Sequence, residues 1–365
     1  MVKMSDYGET GAKNLRQVTR DKIEQYVKEG WVTSSRHRSL PLTIYNYTKK
    51  TQFAHKWDAI TKMCRGLVLD DDNRIVINAP EKFFNQGEPE APTLDLTNCK
   101  VLEKLDGYYI AIRYDKKYGL LVTSRGSFDS KYAEKAREIL KEQEIHFSLD
   151  TDYFCELLCD FPEDSSIIVT KHPEQTLVLW GVDNDIPYDG CGWDGEMAME
   201  IPQDSLSDYL HTEVEGVVLF DPTTKERLKV KTDWYITMHR AISGCSKNRV
   251  WEILQGGGKL KGQTSTTYTG VDKKEYTLDL AQIPEEHFQT MLGWEDELQK
   301  QFDYYIGTAH FYEDLYKTWS DKEFATNPLV PLTYRRIVLA WRHKKDPTKQ
   351  VWRSVKNKLL RNPEN

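Results

Sequence analysis

From residue 40 to about residue 240 the apolar residues of this chain come in short runs of strand length, closed by charged or glycine-bearing turns. Leu40–Tyr47, Met63–Asp70, Ile75–Ile77, Tyr109–Tyr114, Gly119–Ser124, Tyr153–Leu158, Ile167–Val169, Leu177–Val182, Val214–Phe220 and Arg227–Tyr235 all read as strands. Asp71-Asp72-Asn73 and Lys116-Lys117-Tyr118 fit turns between paired strands. Helical spacing is confined to Asn14–Glu29, through Leu15, Val18, Ile23 and Val27 with a stop at Gly30, and to Ser130–Glu144. Past Arg240 the pattern changes. A Gly/Ser/Thr-rich piece, with Gly256-Gly257-Gly258 and Gln263–Gly270, is followed by two long helical patterns, Pro284–Trp319 and Tyr334–Leu360. Phe288, Leu292, Leu298, Phe302, Ile306, Phe311, Leu315 and Trp319 read as the packing core of those helices. The fold class expected is α+β. Residues 1–240 form a domain of antiparallel sheets with flanking helices, and residues 241–365 form an all-helical C-terminal domain.

A net charge of −7 argues against a chain that binds nucleic acid over its whole surface, but not against a local basic face. Charge is uneven. From Tyr334 onward ten basic residues, Arg335 to Arg361, face only Asp346 and Glu364, with Trp341 and Trp352 among them. That stretch reads equally as a solvated helix face or as a footprint for a phosphodiester backbone. No apolar run reaches membrane-spanning length, and Met1–Lys13 has no apolar core of a signal peptide. Cys64, Cys99, Cys155, Cys159, Cys191 and Cys245 are scattered, and no second Cys/His pair follows Cys155 and Cys159 at zinc spacing. Reduced thiols and a cytoplasmic location are expected, with no membrane association and no obligatory protein partner.

The chemistry centres on Glu103-Lys104-Leu105-Asp106-Gly107-Tyr108, which puts a lysine at a break between strand-like runs. A lysine held there is a candidate covalent nucleophile, with Gly107 expected to let a ligand phosphate approach the backbone. A surface Lys-Asp turn is the bland alternative, and Lys-x-Asp-Gly alone is a weak signal. Glu156 and Glu215 each lie within an apolar run, where a carboxylate needs either a buried salt bridge or a ligand. Strand periodicity places Lys229 and Lys231 on one face. Two adjacent ammonium groups repel unless an anion lies between them, so a phosphate-binding face competes with the charged defence of an edge strand.

Taken in order, Lys104-Leu105-Asp106-Gly107, Glu156, Glu215-Gly216 and Lys229-Val230-Lys231 resemble the motif series of the covalent nucleotidyltransferases, the ATP ligases and mRNA-capping enzymes. Cys64-Arg65-Gly66, Glu81-Lys82-Phe83-Phe84-Asn85 and Lys229–Tyr235 narrow the resemblance to the phage RNA ligase 1 (tRNA-repair) family, over roughly residues 40 to 240. The resemblance implies an ATP-dependent ligase that joins RNA 3'-hydroxyl and 5'-phosphate ends, single-stranded ends or broken tRNA. It works through lysyl-AMP on Lys104 and an adenylylated RNA end. The implied roles place Glu156 on the ribose, Glu215 on Mg²⁺ or Mn²⁺, and Lys229 and Lys231 on the nucleotide phosphates. Arg65, Lys82, Phe84, Glu103, Gly107 and Arg125 would line the nucleotide pocket. Arg125 stands where the phage enzyme carries lysine. The region after 240 matches loosely. A capping guanylyltransferase, a DNA ligase and a non-catalytic RNA-binding relative remain alternatives.

A lysine amine attacks phosphorus only when neutral, and the usual lysine pKa is near 10.4. Making it largely neutral near pH 7.5 requires lowering that value by about three units, equivalent to about 4 kcal/mol. Lys229, Lys231, Arg65 and a metal ion are the cations expected to lower it.

Overall fold

The computed structural model describes residues 20–161, 169–170, 172, 174–183, 185–243, 245–270 and 273–359. They fall into two compact units, the first drawing on Met1–Glu163 and Thr170–Ile236, the second mainly on Thr237–Asn365. The first unit opens with helix α1 (Arg20–Lys28), which buries Ile23 and stops just before Gly30. Leu15 and Val18 of the expected Asn14–Glu29 helix lie outside the described residues.

Strands β1 (Val32–Arg36), β2 (Leu42–Tyr47), β3 (Arg65–Asp70) and β4 (Ile75–Ile77) form one antiparallel sheet in that order. The Asp71–Asn73 turn is built by Asp70, whose carboxylate accepts the backbone N–H groups of Asp72 and Arg74. Two short helices, α2 (Lys49–Phe53) and α3 (Ala59–Met63), lie between β2 and β3. Asp58 and Thr61 close a reciprocal cap that starts α3 and so sets where Arg65 enters β3.

Two further four-stranded sheets carry the chemistry-bearing residues. One has the order β10 (Thr176–Val182), β9 (Asp152–Leu158), β7 (Tyr108–Asp115), β8 (Gly119–Ser124), with helix α4 (Lys131–Glu142) between β8 and β9. Its apolar face, with Ala111, Leu121 and Phe154, packs on Leu42, Ile44, Val68, Val76 and Ile77 of the first sheet. Of the expected strand Ile167–Val169, the first two residues lie outside the described residues. The other sheet has the order β5 (Phe84–Asn85), β12 (Arg227–Lys231), β11 (Gly216–Phe220), β6 (Lys100–Lys104), with β5 parallel to β12 and the rest antiparallel.

Register in this last sheet decides which side chains meet. Lys104 pairs with Gly216, which pairs with Lys231, and Leu102, Val218 and Lys229 line up one step further along. Opposed residues share a face, so Lys104, Lys229 and Lys231 stand on one side. Glu103, Val217 and Val230 occupy the other, where Val101, Val217, Leu219 and Leu228 form a core.

Several elements end differently from their sequence expectation. Glu215 precedes β11 rather than lying within it. The Arg227–Tyr235 run stops at Lys231, because Thr232 caps helix α6 (Asp233–Ser243) by accepting the Tyr235 N–H at 3.0 Å. The second unit holds α7 (Lys247–Gln255), α8 (Glu285–Leu315), α9 (Asp321–Thr326), α10 (Leu332–Arg342) and α11 (Thr348–Leu359). It is not wholly helical. The Ser/Thr-rich piece forms a hairpin, β13 (Ser265–Thr269) and β14 (Glu275–Asp279), whose Thr and Tyr residues favour extended backbone. Tyr268 and Leu278 from one face of that hairpin pack on the helical core. The expected Tyr334–Leu360 helix is interrupted over 343–347, where Lys344 takes a left-handed φ of +56° and Pro347 directly precedes the next helix. Phe288, Leu292, Leu298, Phe302 and Ile306 pack as expected, whereas Phe311, Leu315 and Trp319 are exposed.

Candidate active site

Lys104 is the last residue of β6, and three residues, Leu105 to Gly107, carry the chain back into β7. Its Nζ donates to Glu215 Oε2 at 2.6 Å, and Lys231 Nζ lies 3.0 Å from the other oxygen of the same carboxylate. Glu215 is 4% exposed and Lys104 17%, so the bridge is almost closed to water. Gly216 makes it possible. It takes φ +144°, and a Cβ there would overlap the Val230 carbonyl of the neighbouring strand, so a side chain would force β11 off β12.

The carboxylates dominate the charge of Lys104 when neither nucleotide nor metal is bound. Burial works against the Lys104 ammonium, but Glu215, Glu156 and Asp106 outweigh it and hold its pKa above that of a free lysine. In this state the nucleophile candidate is an ammonium ion. Glu215 is buried too, yet Lys104 and Lys231 keep its pKa below the usual carboxylate value. Lys229 behaves oppositely, pushed well down by burial and then by Lys104, Arg65 and Lys82, and burial also lowers Lys82. Lys229 Nζ sits 4.6 Å from the centre of the Phe83 ring.

Glu156 lies on β9 opposite Tyr109 of β7. Burial, with Glu215 and Asp106 nearby, raises its carboxyl to about 7 despite Lys104 and Arg65. Gly107 takes part in this contact. A Cβ on Gly107 would lie 2.5 Å from the Leu157 carbonyl and 2.9 Å from Glu156 Cγ, so glycine is needed for the loop after Lys104 to press against β9.

Arg65, the first residue of β3, stacks over Tyr109 at 4.7 Å and over Phe83 at 5.3 Å. Among the described residues, Arg65 Nη1, the Tyr109 hydroxyl and Trp180 Nε1 are buried without a hydrogen-bond partner. Phe83 links them, lying 6.3 Å from Trp180. Unpaired buried donors of this kind are costly unless an acceptor-rich ligand meets them. Lys82 Nζ donates to the Phe83 carbonyl at 2.8 Å and covers the Phe84 ring at 3.9 Å. Phe84 is buried beneath it against Trp57, so it supports Lys82, and Phe83 is the ring that reaches Arg65 and Lys229. Arg125 donates to the Tyr47 hydroxyl at 3.4 Å, beside Trp57, which stacks edgewise on Tyr47.

Lys104, Lys229, Lys231, Arg65, Lys82, Glu156 and Glu215 are thus brought together, with Gly107 as packing and Phe84 and Arg125 on the flank. Glu103 is not. It points to the opposite face of β6, where its carboxylate accepts the Met199 N–H at 2.8 Å, because adjacent strand residues alternate. Phe83 and Tyr109 carry no charge or strand break that would mark them in the sequence, although each lies beside a marked residue or motif. Nor does the sequence mark a role for Asp106, whose buried carboxylate accepts the Tyr235 hydroxyl at 2.8 Å and the Thr170 N–H at 2.9 Å. Asp106 and Tyr235 lie inside the motifs already singled out.

No group of three or more His, Cys, Asp or Glu side chains among the described residues could hold a metal ion alone. Two carboxylates beside a cluster of cations do fit a Mg²⁺ ion bound partly through ligand phosphates.

Residues 63–188, roughly a third of the chain, match the RNA ligase family model. That segment holds Arg65, Lys82, Lys104 and Glu156, and it ends before Glu215, Lys229 and Lys231. Among solved structures, two forms of an archaeal ATP-dependent RNA ligase are similar at 14% identity, with TM-scores of 0.42 and 0.43. Each alignment covers 62% of this chain and 65% of the archaeal one. A provisionally named ATP-dependent DNA ligase from Aquifex aeolicus is similar at 14% identity and TM-score 0.41, covering 90% of this chain and 88% of that one.

Proposed function

We propose that this chain is an ATP-dependent RNA ligase that joins a 3'-hydroxyl to a 5'-phosphate through AMP carried on Lys104. The observation that carries this reading is the row Lys104–Gly216–Lys231 across three strands, with Glu215 bridging both lysines. The RNA ligase match over residues 63–188 supports the choice of acceptor. The nucleotidyl transfer is assigned to residues 1–240 and RNA selection to 241–365.

The resting bridge sets the order of events. Lys104 begins as an ammonium paired with Glu215, so it must lose a proton and leave that carboxylate before its lone pair can attack. Glu215 would hold a divalent cation there, which when bound would supply positive charge favouring the neutral amine and countering charge on the phosphates. Lys104 Nζ then forms a P–N bond to the α-phosphorus, the bond to the β-phosphate oxygen breaks, and pyrophosphate leaves with the electron pair. Lys229, Lys231, Arg65 and Lys82 stabilise the leaving phosphates, and Arg125 extends that cationic rim. The RNA 5'-phosphate next displaces Lys104 from AMP. Finally the 3'-hydroxyl attacks the activated 5'-phosphorus, loses its proton and releases AMP.

Glu156 faces the same pocket and holds a ribose hydroxyl. As a carboxylate it accepts, and when protonated it also donates. Lys229, deprotonated more readily than any free lysine, regains full charge once phosphate oxygens surround it. All six cysteines are buried thiols, which suits a reducing cytoplasm. No helix among the described residues is long and apolar enough to cross a membrane.

The test is sealing of a 5'-phosphorylated, 3'-hydroxyl single-stranded RNA with ATP and Mg²⁺, using a matching DNA strand and GTP as comparisons. Circular or joined RNA with ATP, absent after Lys104→Ala, is expected. Sealing of DNA alone, guanylate attached to Lys104, or RNA binding without any joining would each replace this reading with one of its alternatives.

A further inference from the structure

Only Leu105, Asp106 and Gly107 separate Lys104 from β7, so their backbone fixes how the amine is presented. Two of the restraints on this loop are described above, the Gly107 contact with β9 and the Asp106 carboxylate held by Tyr235 and Thr170. A third has a different character. His172 Nε2 lies 2.5 Å from the main-chain carbonyl oxygen of Asp106. A carbonyl only accepts, so Nε2 is the protonated nitrogen and the ring donates. His172 is itself fixed at its backbone, where its N–H donates to Asp160 Oδ1 at 3.1 Å just beyond β9. Because a peptide unit is planar and trans, holding the Asp106 carbonyl also fixes the direction of the Gly107 N–H.

We propose that His172 is a positioning residue for Lys104, its ring N–H holding the Asp106–Gly107 peptide so that the amine meets the α-phosphate in line. This rests on the ligase reading above. His172 acts on Lys104 only through Asp106, so it governs the rate of attack and not the affinity for ATP. The Asp106 carboxylate has its own partners, so loss of the ring leaves the loop attached but less well aimed.

The experiment compares wild type, His172→Ala and His172→Gln in the full chain, glutamine offering an amide donor at similar reach. Four quantities are read: the single-turnover rate of AMP attachment at saturating ATP, the ATP concentration giving half that rate, sealing of RNA carrying a preformed 5'-adenylate, and the melting temperature. Alanine should slow AMP attachment by about 10- to 100-fold, the effect expected of a reacting group misplaced by a fraction of an ångström to an ångström. Half-saturating ATP, melting temperature and sealing of adenylylated RNA should stay near wild type, the last because that substrate bypasses attack by Lys104. Glutamine should restore most of the lost rate. Undiminished attachment in His172→Ala overturns the inference. So does parallel loss of attachment and sealing with glutamine no better than alanine, which marks a purely structural part. Failure of the ligase reading itself shows elsewhere, as wild-type protein that takes no AMP on Lys104.

Discussion

Replacing Glu156 by glutamine should make the nucleotide-free protein more stable at alkaline pH, and the size of the gain follows from its surroundings. The carboxyl is raised from an ordinary value of 4.5 to about 7 by burial and by the negative charge of Glu215. Between those two values the folded protein holds a proton that the unfolded chain has released. Stability from this group is therefore fully present below 4.5 and is lost as pH rises through about 7. Integrated from pH 5 to pH 8.5 the loss is at most about 2.5 kcal/mol, since residual solvent contact screens the charges. Glutamine has no proton to lose, so the stability difference between Glu156→Gln and wild type should grow by roughly 2 kcal/mol across that interval. Urea denaturation at half-unit steps of pH reads this directly, with slopes compared to confirm an unchanged unfolding transition. A difference that stays flat to within about 0.5 kcal/mol would refute the reasoning, because it would mean Glu156 is ionised in the folded state across the whole range.

Glu215→Gln should destabilise the protein by about 3 kcal/mol at pH 7, because it leaves the Lys104 and Lys231 ammonium groups unpaired at a buried site. The native Glu215 pKa is depressed, so its contribution is present above the ordinary carboxylate range and fades as acid protonates it. The two proteins should accordingly converge in denaturation midpoint at low pH, and a gap that persists there would count against the bridge. Gly216→Ala should lose more than about 2 kcal/mol, since its Cβ meets the Val230 carbonyl and its φ is one that alanine avoids. A melting temperature equal to wild type would show that β11 can separate from β12 freely.

The sequence reveals the members of the site better than their relations. Glu215 stands out as a carboxylate beside an apolar run and Lys104 as a lysine at a break between strands, while strand alternation joins Lys229 to Lys231 on one face. The same alternation, applied to β6, places the Glu103 side chain on the face opposite Lys104. The packing contact of Gly107 is not legible locally, because Leu157 and Glu156, about fifty residues away, come within a carbon's reach of it only through the fold. The raised pKa of Lys104 was hidden for a related reason. Counting nearby cations is possible from motifs, but the 2.6 Å contact with Glu215 depends on three-strand register. His172 carries no local signal at all, standing outside every motif and reaching Asp106 only through the fold. In the C-terminal region helical periodicity is legible, whereas the β13–β14 hairpin is obscured by glycine and threonine that also suit a loop.

The central claim is that Lys104 becomes covalently adenylylated, and it is tested most directly without RNA. Protein incubated with ATP labelled at the α-phosphate and with Mg²⁺ is denatured, resolved on a gel, digested and mapped. The account predicts acid-labile AMP on the peptide containing Lys104, released pyrophosphate in equal amount, and no label after Lys104→Ala. Label on a different residue, or a folded and nucleotide-free protein that takes none across divalent metals, would contradict it.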